Sequence, residues 1–460
     1  MSPPVTKANV ITLTLPDAMQ RAADAYTAGN FAEAEHLCKA ILNAQADHFN
    51  ALHLLGVICG IQGHAELGLE YLRKATAINP HSAAACWHMG IALADLRRPE
   101  EAVASFDRAL ELQPDYVEAL VNRGNLLQEL RRPEDALRSF SRAVELRPGF
   151  AIAHYNEGLC RLQIGDFENG WRAHEWRMQV EQLDKAKRDF KPPLWLGEEP
   201  LLGKTILLHA EQGLGDTIQF CRYARLVASQ GATVLMEVQP WLKSLLTQVE
   251  GVNRLFVFGE TLPAFDCHCP LLSLPLAFKT TLESIPPDVP YLGSDPIAVS
   301  KWRSKLSNPT LPRVGLVWSG ATTHRNDHNR SIPLANFAWL VSDRVQLVSL
   351  QKEVRAADKL VLDERKDIQY LGDDLDDFTD TAALVELMDL VITVDTVVAH
   401  LAGAMGKPVW ILLPFNPDWR WLLEREDSPW YPTARLFRQP APGDWNSVIA
   451  RLKSELDERF

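Results

Sequence analysis

The stretch HSAAACWHMGIALADLRRPEEAVASFDRALELQP (residues 81–114) is followed directly by DYVEALVNRGNLLQELRRPEDALRSFSRAVELRP (residues 115–148), a near copy of the same length. A period of this length predicts units of two helices joined by a turn, which bury their apolar faces by stacking on one another. Three residue types recur every 34 positions: Pro80, Pro114 and Pro148; Gly56, Gly90, Gly124 and Gly158; Ala51, Ala85, Ala119 and Ala153.

Each unit carries the features that a helical hairpin needs. Pro99 suits the first turn of a second helix, and Pro114 ends the unit because proline cannot continue the hydrogen-bond ladder. Small residues at Gly90 and Ala102 predict that the two helices of a unit approach closely. Looser copies extend the pattern on both sides, with a unit at 47–80, a degenerate first unit at 17–46 and a modified last unit at 149–176.

This pattern resembles the tetratricopeptide repeat (TPR), and the resemblance implies a helical solenoid over residues 17–180 that binds a peptide or protein in its concave groove. First helices of such units usually line the groove. Asn122, Asn125 and Asn156 fall on predicted first helices, and their amides are candidate contacts to the backbone of an extended acceptor peptide. The alternative is that these side chains are only solvated.

Composition limits the classes of protein and of partner. A net charge of −12 argues against a nucleic-acid-binding surface. We find no stretch long and apolar enough to span a membrane and no secretory signal, and the seven scattered cysteines fit a reducing compartment, so the sequence predicts a cytoplasmic protein. The cluster Cys267–His268–Cys269 lacks a second pair of ligands, so we expect no metal site.

After a predicted linker at 181–200, short apolar runs alternate with helical patterns, which predicts parallel sheets in two α/β lobes. The expected fold class is therefore α + α/β, with an N-terminal lobe at 201–296, a C-terminal lobe at 310–440 and a terminal helix at 441–460. Expected strands are 204–209, 233–238 and 255–258 in the first lobe, and 314–318, 346–349, 368–371, 390–394 and 409–413 in the second. Expected helices include 217–230 and 241–249.

Ligands of such sheets bind at the carboxyl ends of the strands, and the first candidate segment follows the first strand. Gly213 and Gly215 allow close approach of a ligand, and Asp216 is a carboxylate able to take a proton from a hydroxyl. The alternative role of Asp216 is to cap a helix. A dinucleotide site with Glu237 on the ribose is a second alternative, but Ile218 stands where that fingerprint needs a small residue.

Two further segments follow predicted strands in the second lobe. Residues 319–331 combine hydroxyls and glycine with Arg325 and Arg330, which suits a diphosphate. Asp395 and Thr396 precede a small-residue helix whose amino end favours anions. His400 lies within that helix and is equally compatible with an ordinary core histidine.

These three segments, in this order, resemble the family 9 glycosyltransferases, the heptosyltransferase group. The resemblance is carried by Gly215–Asp216, by Thr322–Thr323 through Arg330, by Asp395–Thr396 with His400, and by Gly406–Lys407–Pro408. It implies a GT-B fold of two Rossmann-like lobes that uses a nucleotide-diphosphate sugar and needs neither a metal nor a cofactor. It also implies that Asp216 is the general base, and that the donor contacts are Gly213, Gly215, Thr322, Thr323, Arg325, Arg330, Gln351, Glu353, Asp395, Thr396 and His400.

The chain departs from that group in two places. Val397–Val398 replaces the usual Gly-Pro, and a tryptophan-rich segment at 417–421 follows the last strand, so the donor sugar stays open. Trp419 and Trp421 are expected to pack rather than to bind sugar. The sequence predicts an inverting, metal-independent glycosyltransferase whose TPR array recruits a protein acceptor. A TPR adaptor with a non-catalytic GT-B domain and a transferase for a cell-surface glycan are the alternatives.

Overall fold

The computed structural model describes residues 13–181, 188–306, 310–324, 326–337, 339–340 and 344–460. The chain forms two compact units, one up to Asn156 and one from Glu157 onward. In the described part of the first unit, from residue 13 onward, the regular elements are helices, and the last of them continues into the second unit. They are α1 (Leu15–Thr27), α2 (Phe31–Ala44), α3 (Phe49–Ile61), α4 (Ala65–Ile78), α5 (Ala83–Asp95), α6 (Pro99–Leu112), α7 (Val117–Glu129), α8 (Pro133–Leu146) and α9 (Ala151–Gln163).

The two helices of a repeat touch where the sequence places a glycine. A Cβ atom on Gly90 would lie 2.5 Å from Cε1 of Phe106, and one on Gly124 would lie 2.5 Å from Cε1 of Phe140. Such distances are far inside van der Waals contact, so only glycine lets the phenylalanine ring cross the first helix. The expected close approach of the helices is confirmed, and the two copies reproduce it with the same geometry.

The turn inside each repeat requires a left-handed backbone, a feature that recurs at every 34th residue. Gly29, Gly63 and Gly165 have φ angles of 76°, 81° and 86° at this turn. Arg97 and Arg131 occupy the same position in the two most regular repeats, with φ angles of 57° and 54°. A residue with a Cβ atom is strained in this region, so these two arginines cost stability that the stacked helices must offset.

Replacing Arg97 with glycine should therefore stabilise the array. We expect Arg97→Gly to raise the free energy of unfolding by about 0.5–1 kcal/mol, because relief of the left-handed strain exceeds the added entropy of the unfolded chain. Urea denaturation followed by circular dichroism measures the change. Arg98→Gly is the matched control: Arg98 has a φ of −115° and an ion pair with Glu101, so this variant should be less stable than the parent.

The second unit begins with the end of α9 and the short helix α10 (Phe167–His174), and continues with a four-stranded sheet. The strands lie in the order β3-β2-β1-β4, and all their pairings are parallel. The elements are β1 (Thr205–His209), α11 (Leu214–Phe220), α12 (Ala224–Ser229), β2 (Thr233–Val238), α13 (Lys243–Leu246), β3 (Arg254–Val257), β4 (Cys267–Pro270) and α14 (Leu274–Ala277).

A six-stranded parallel sheet follows, in the order β10-β9-β8-β5-β6-β7. Its outer face is covered by the last helix. The elements are α15 (Pro296–Lys305), β5 (Arg313–Val317), α16 (Asp327–Arg330), β6 (Gln346–Ser349), α17 (Ala356–Glu364), β7 (Ile368–Tyr370), α18 (Phe378–Glu386), β8 (Leu390–Val394), α19 (Val397–Ala404), β9 (Val409–Leu413), β10 (Ala434–Arg438) and α20 (Trp445–Arg459).

Several local expectations were wrong. The helix expected at 217–230 is broken by a 3-10 turn at Cys221–Tyr223, and only a short helix forms within 241–249. No strand was predicted at Cys267–His268–Cys269, which belongs to β4 and pairs with β1. Part of the expected linker packs on the first sheet, because Trp195 is buried and Leu194 forms a bridge to His268.

Helix α10 is part of the core of the second unit. The indole of Trp171 lies edge-on to Trp419 with ring centroids 5.2 Å apart, and its N–H donates to the carbonyl oxygen of Thr280 at 2.9 Å. Phe167 stacks on Trp430 at 6.1 Å. The same apolar cluster continues through both sheets, so the two lobes and this helix share one core.

Removing this indole should destabilise the α/β unit. We expect Trp171→Ala to lower the free energy of unfolding by about 3–5 kcal/mol, because it opens a large cavity in a fully packed core. Tryptophan fluorescence in urea measures the effect. Trp241→Ala is the control, since that side chain is 56% exposed and should change stability by no more than about 0.5 kcal/mol.

Candidate functional site

Two helix starts from the two sheets lie against each other in the second unit. Gly215 opens α11 after β1, and His400 lies in α19 after β8. A Cβ atom on Gly215 would lie 2.7 Å from Cδ2 of His400. The glycine therefore makes room for the imidazole, and this contact brings two of the three candidate segments together.

Asp216 is held by two hydrogen bonds. Its Oδ2 accepts the backbone N–H of Gly213 at 2.8 Å, and its Oδ1 accepts Nη2 of Arg420. The first bond is the helix-capping interaction that the sequence left as an alternative. The carboxylate side chain remains 19% exposed. Burial raises the pKa of Asp216 above its ordinary value, against the opposing effect of Arg420.

The loop that carries Asp216 is fixed by buried polar residues on both sides. Arg177, which follows α10, donates to Glu211 at 2.8 Å and to Ser273 at 2.6 Å. Gln239, after β2, accepts the hydroxyl of Thr217 at 2.9 Å and donates to the carbonyl oxygen of Gln212 at 3.0 Å. The loop that carries the acid is therefore held by two side chains from separate segments, Arg177 and Gln239.

Glu237, the acid of the alternative dinucleotide site, is fully buried. One of its carboxylate oxygens accepts Nη2 of Arg188 at 2.9 Å. A ribose would have to displace that arginine and enter the sheet. The structure therefore gives no support to a dinucleotide site at this strand end.

The second candidate segment meets the third through Arg330. Its Nη1 donates to the backbone oxygen of Asp395 at 3.0 Å, while its buried Nε has no partner among the described residues. A Cβ atom on Gly320 would lie 2.5 Å from Nη2 of Arg330. The guanidinium thus lies flat against a glycine just after β5, and its bond to Asp395 uses one of its five N–H groups.

The remaining residues of the second segment differ in their surroundings. Thr322 and Thr323 are exposed on the loop after β5, and Arg325 lies outside the described residues. Gln351 is buried, and its amide accepts the backbone N–H groups of Trp318 and Ser319 and donates to the carbonyl oxygens of Ser319 and Glu353. A direct ribose contact from Gln351 would break these bonds. Glu353 is exposed.

His400 and Thr396 are both buried in the third segment. Nδ1 of His400 is 2.9 Å from the hydroxyl of Tyr431, and its ring stacks on Trp421 at 5.4 Å. Burial, assisted by the charge of Arg420, lowers the pKa of His400 to about 3, so the imidazole is neutral at physiological pH. Thr396 caps α19 by accepting the N–H of Val398 at 3.3 Å.

Two charged residues at the centre of the site were missed in the sequence. Asp418 and Arg420 flank Trp419 shortly after β9, and Arg420 is only 8% exposed. Their position at the carboxyl end of a parallel strand was the available signal. Trp419 and Trp421 are buried, as packing residues are. Burial and the nearby charge of Asp418 raise the pKa of Asp395 to about 6.

In the helical array, two of the three candidate asparagines contact each other. Nδ2 of Asn156 donates to Oδ1 of Asn125 at 2.8 Å across adjacent first helices. Asn122 is half-buried on α7, one turn before Asn125. The pair leaves Nδ2 of Asn125 and Oδ1 of Asn156 for another partner, so a peptide contact stays a prediction.

The ionised form of Asp395 lowers the free energy of unfolding, and this effect depends on pH. Because its folded pKa is raised, the protonated form is favoured in the folded state and stability is lost as pH rises through about 6. We expect Asp395→Asn to be more stable to urea than the parent at pH 8, by about 1–3 kcal/mol, with the difference shrinking between about pH 6 and pH 4 and vanishing below about pH 4, where both folded and unfolded carboxyls are protonated. Asp427→Asn is the control: the exposed ion pair with Arg425 lowers the pKa of Asp427, so this variant should show at most a small pH dependence of the opposite sign.

Within the described residues, we find neither a group of three or more metal-binding side chains nor a helix of the length and apolarity needed to cross a membrane. These observations concern only those two kinds of feature.

Comparison with known proteins identifies the helical repeats. Three segments match tetratricopeptide-repeat families: residues 49–82, 83–116 and 121–170. The chain therefore consists of N-terminal TPR repeats followed by an α/β region with parallel sheets. Across both regions it is similar to Protein FlbA of Caulobacter vibrioides, with 26% identity over 417 residues that cover 84% of this chain and 69% of FlbA.

Several solved structures are similar to this chain at low sequence identity. MamA is 21% identical with a TM-score of 0.34, over 39% of this chain and 98% of MamA. YrrB, described as a TPR protein with an unusual peptide-binding site, is 19% identical with a TM-score of 0.33, over 37% of this chain and 87% of YrrB. PilF of Pseudomonas aeruginosa is 18% identical with a TM-score of 0.34, over 36% of this chain and 75% of PilF.

Proposed function

We propose that the α/β region is an inverting, metal-independent glycosyltransferase of the GT-B type. It would move a sugar from a nucleotide-diphosphate donor to an acceptor hydroxyl. The observation that carries this proposal is the convergence of a partly exposed carboxylate, Asp216, with Arg330 and the start of α19 at the carboxyl ends of two parallel sheets. Such strand ends are where ligands of parallel sheets bind.

Asp216, Arg330 and His400 have different roles in the proposed sugar transfer. Asp216 takes the proton of the acceptor hydroxyl as its oxygen forms the new bond to the anomeric carbon. The bond from that carbon to the diphosphate breaks, and the nucleotide diphosphate leaves with the electron pair. Arg330 donates N–H groups that its bond to Asp395 does not use to the charge that develops on the leaving group. Neutral His400 supports the wall of the site without adding charge.

The helical array would supply the acceptor. A repeat groove holds extended chains, and the open amide atoms of Asn125 and Asn156 suit a peptide backbone. We therefore propose a protein or peptide acceptor, with a cell-surface glycan as the competing substrate and a scaffold with an inactive α/β region as the competing class.

A donor screen tests the enzymatic proposal. We expect one of the UDP-, GDP-, ADP- or dTDP-sugars to raise the melting temperature of the full chain, because a ligand that binds only the folded state stabilises it. Asp216→Asn should keep that shift and lose about 10²–10⁴-fold in nucleotide release. Arg330→Gln should reduce the shift itself. If no nucleotide sugar and no free nucleotide diphosphate raises the melting temperature, the enzymatic proposal is wrong and the chain is a scaffold.

A second experiment separates the two kinds of acceptor. The triple variant Asn122→Ala, Asn125→Ala, Asn156→Ala should lose sugar transfer to co-purified protein while retaining hydrolysis of the donor. Intact-mass spectrometry measures the added sugar, and donor hydrolysis is the internal control. Unchanged transfer to protein would remove the array asparagines from the proposal.

A further inference from the structure

Arg420 is the buried side chain that links the candidate base to the segment after β9. It is 8% exposed, its Nε donates to Oε1 of Gln219 at 2.7 Å, and its Nη1 donates to Oδ1 of Asp418 at 2.8 Å. Its Nη2 donates to Oδ1 of Asp216. The guanidinium therefore joins the segment after β9 to two residues of α11, one of which is the candidate base.

The guanidinium plane is itself fixed by aromatic packing. Its carbon lies 4.2 Å from the ring centroid of Trp419, which in turn packs against Trp171 of α10. Asp418 also accepts the backbone N–H of Arg420 at 3.0 Å, which closes the short 3-10 helix around it. Trp419 packs against one face of the guanidinium, Asp418 bonds to Nη1 and Asp216 bonds to Nη2. Together these contacts hold Arg420 in one orientation.

We propose that Arg420 is the positioning residue for Asp216, holding its carboxylate ionised and in one orientation for proton transfer. The catalytic part of this inference rests on the proposed function. The hydrogen bond between Arg420 and Asp216 is observed whatever the function is. Each carboxylate oxygen already accepts one hydrogen bond and retains a second lone pair, so an acceptor hydroxyl can still deliver its proton. Arg420 need not touch the substrate to act in this way.

The charged groups around Asp216 predict the direction of the effect. Arg420 and His324 favour its ionised form, whereas Asp418 and the neighbouring Glu211 oppose it. Uncharged His400 lies beside Gly215 on the opposite helix. Arg420 makes the largest of the favourable contributions, so its loss should raise the pKa of Asp216.

The test is a direct titration of Asp216 in the full chain. Protein labelled with ¹³C at the aspartate side-chain carboxyl carbon gives a pH midpoint for each acid, and Asp216→Asn identifies the resonance. We expect the midpoint to move to higher pH in Arg420→Gln and to move less far in Arg420→Lys, which keeps the charge but not the fork. Where Arg420→Gln does not fold, as judged by circular dichroism, the lysine variant decides. An unchanged or lower midpoint in the folded variant overturns the proposal.

Arg438→Gln is the matched control. Arg438 donates to the backbone oxygens of Trp421, Leu422 and Arg425, so it supports the same segment through bonds to its backbone. Its variant should leave the Asp216 midpoint where the parent has it. An equal shift in Arg438→Gln would mean that only the fold of the segment matters, and would also overturn the proposal.

Sugar transfer provides the second measurement. In Arg420→Gln the acidic limb of kcat should move to higher pH in the same direction as the titration, with KM for the donor unchanged. If no donor supports transfer, the proposed function fails while the titration still decides the role of Arg420. If transfer occurs and its acidic limb does not move, the positioning role fails alone.

Discussion

A guanidinium buried at the centre of the α/β unit is the constraint on which the candidate site depends. Removing a charge from water is costly unless hydrogen bonds and opposite charges replace the solvent. Arg420 meets this requirement with Asp418, Asp216 and Gln219, which come from two different parts of the chain. Replacing any one of these residues would leave a buried polar group of another without its hydrogen-bond partner. The charged residues of the site therefore depend on one another.

Much of the architecture follows from local patterns in the sequence. The repeats were predictable because each unit needs a glycine where its two helices touch, against Phe106 or Phe140 in the two most regular units and against Leu72 in the unit before them. The parallel strands around Leu208 and Ile392 were predictable because strands covered on both faces are continuous apolar runs. Strand β4 was not, because a short run that contains histidine and two cysteines carries no clear alternation.

The site was predictable only in part. Asp216 and Arg330 follow strands and carry the expected chemistry, so their positions could be inferred. Asp418 and Arg420 could not be joined to them, because that pairing depends on a turn beyond β9 that no periodicity describes. The full use of the Gln351 amide within its own loop is likewise a property of packing, which the sequence does not record.

The assignment of α10 to the α/β unit has a consequence for how such proteins change over evolutionary time. The contacts of Trp171 with Trp419 and Thr280 lie beyond Asn156, so the gain or loss of whole 34-residue units ahead of that point removes neither contact. The charged cluster of Asp216, Asp418 and Arg420 likewise takes all three residues from the second unit. Lineages are free to lengthen or shorten the recognition surface while the final hairpin is retained.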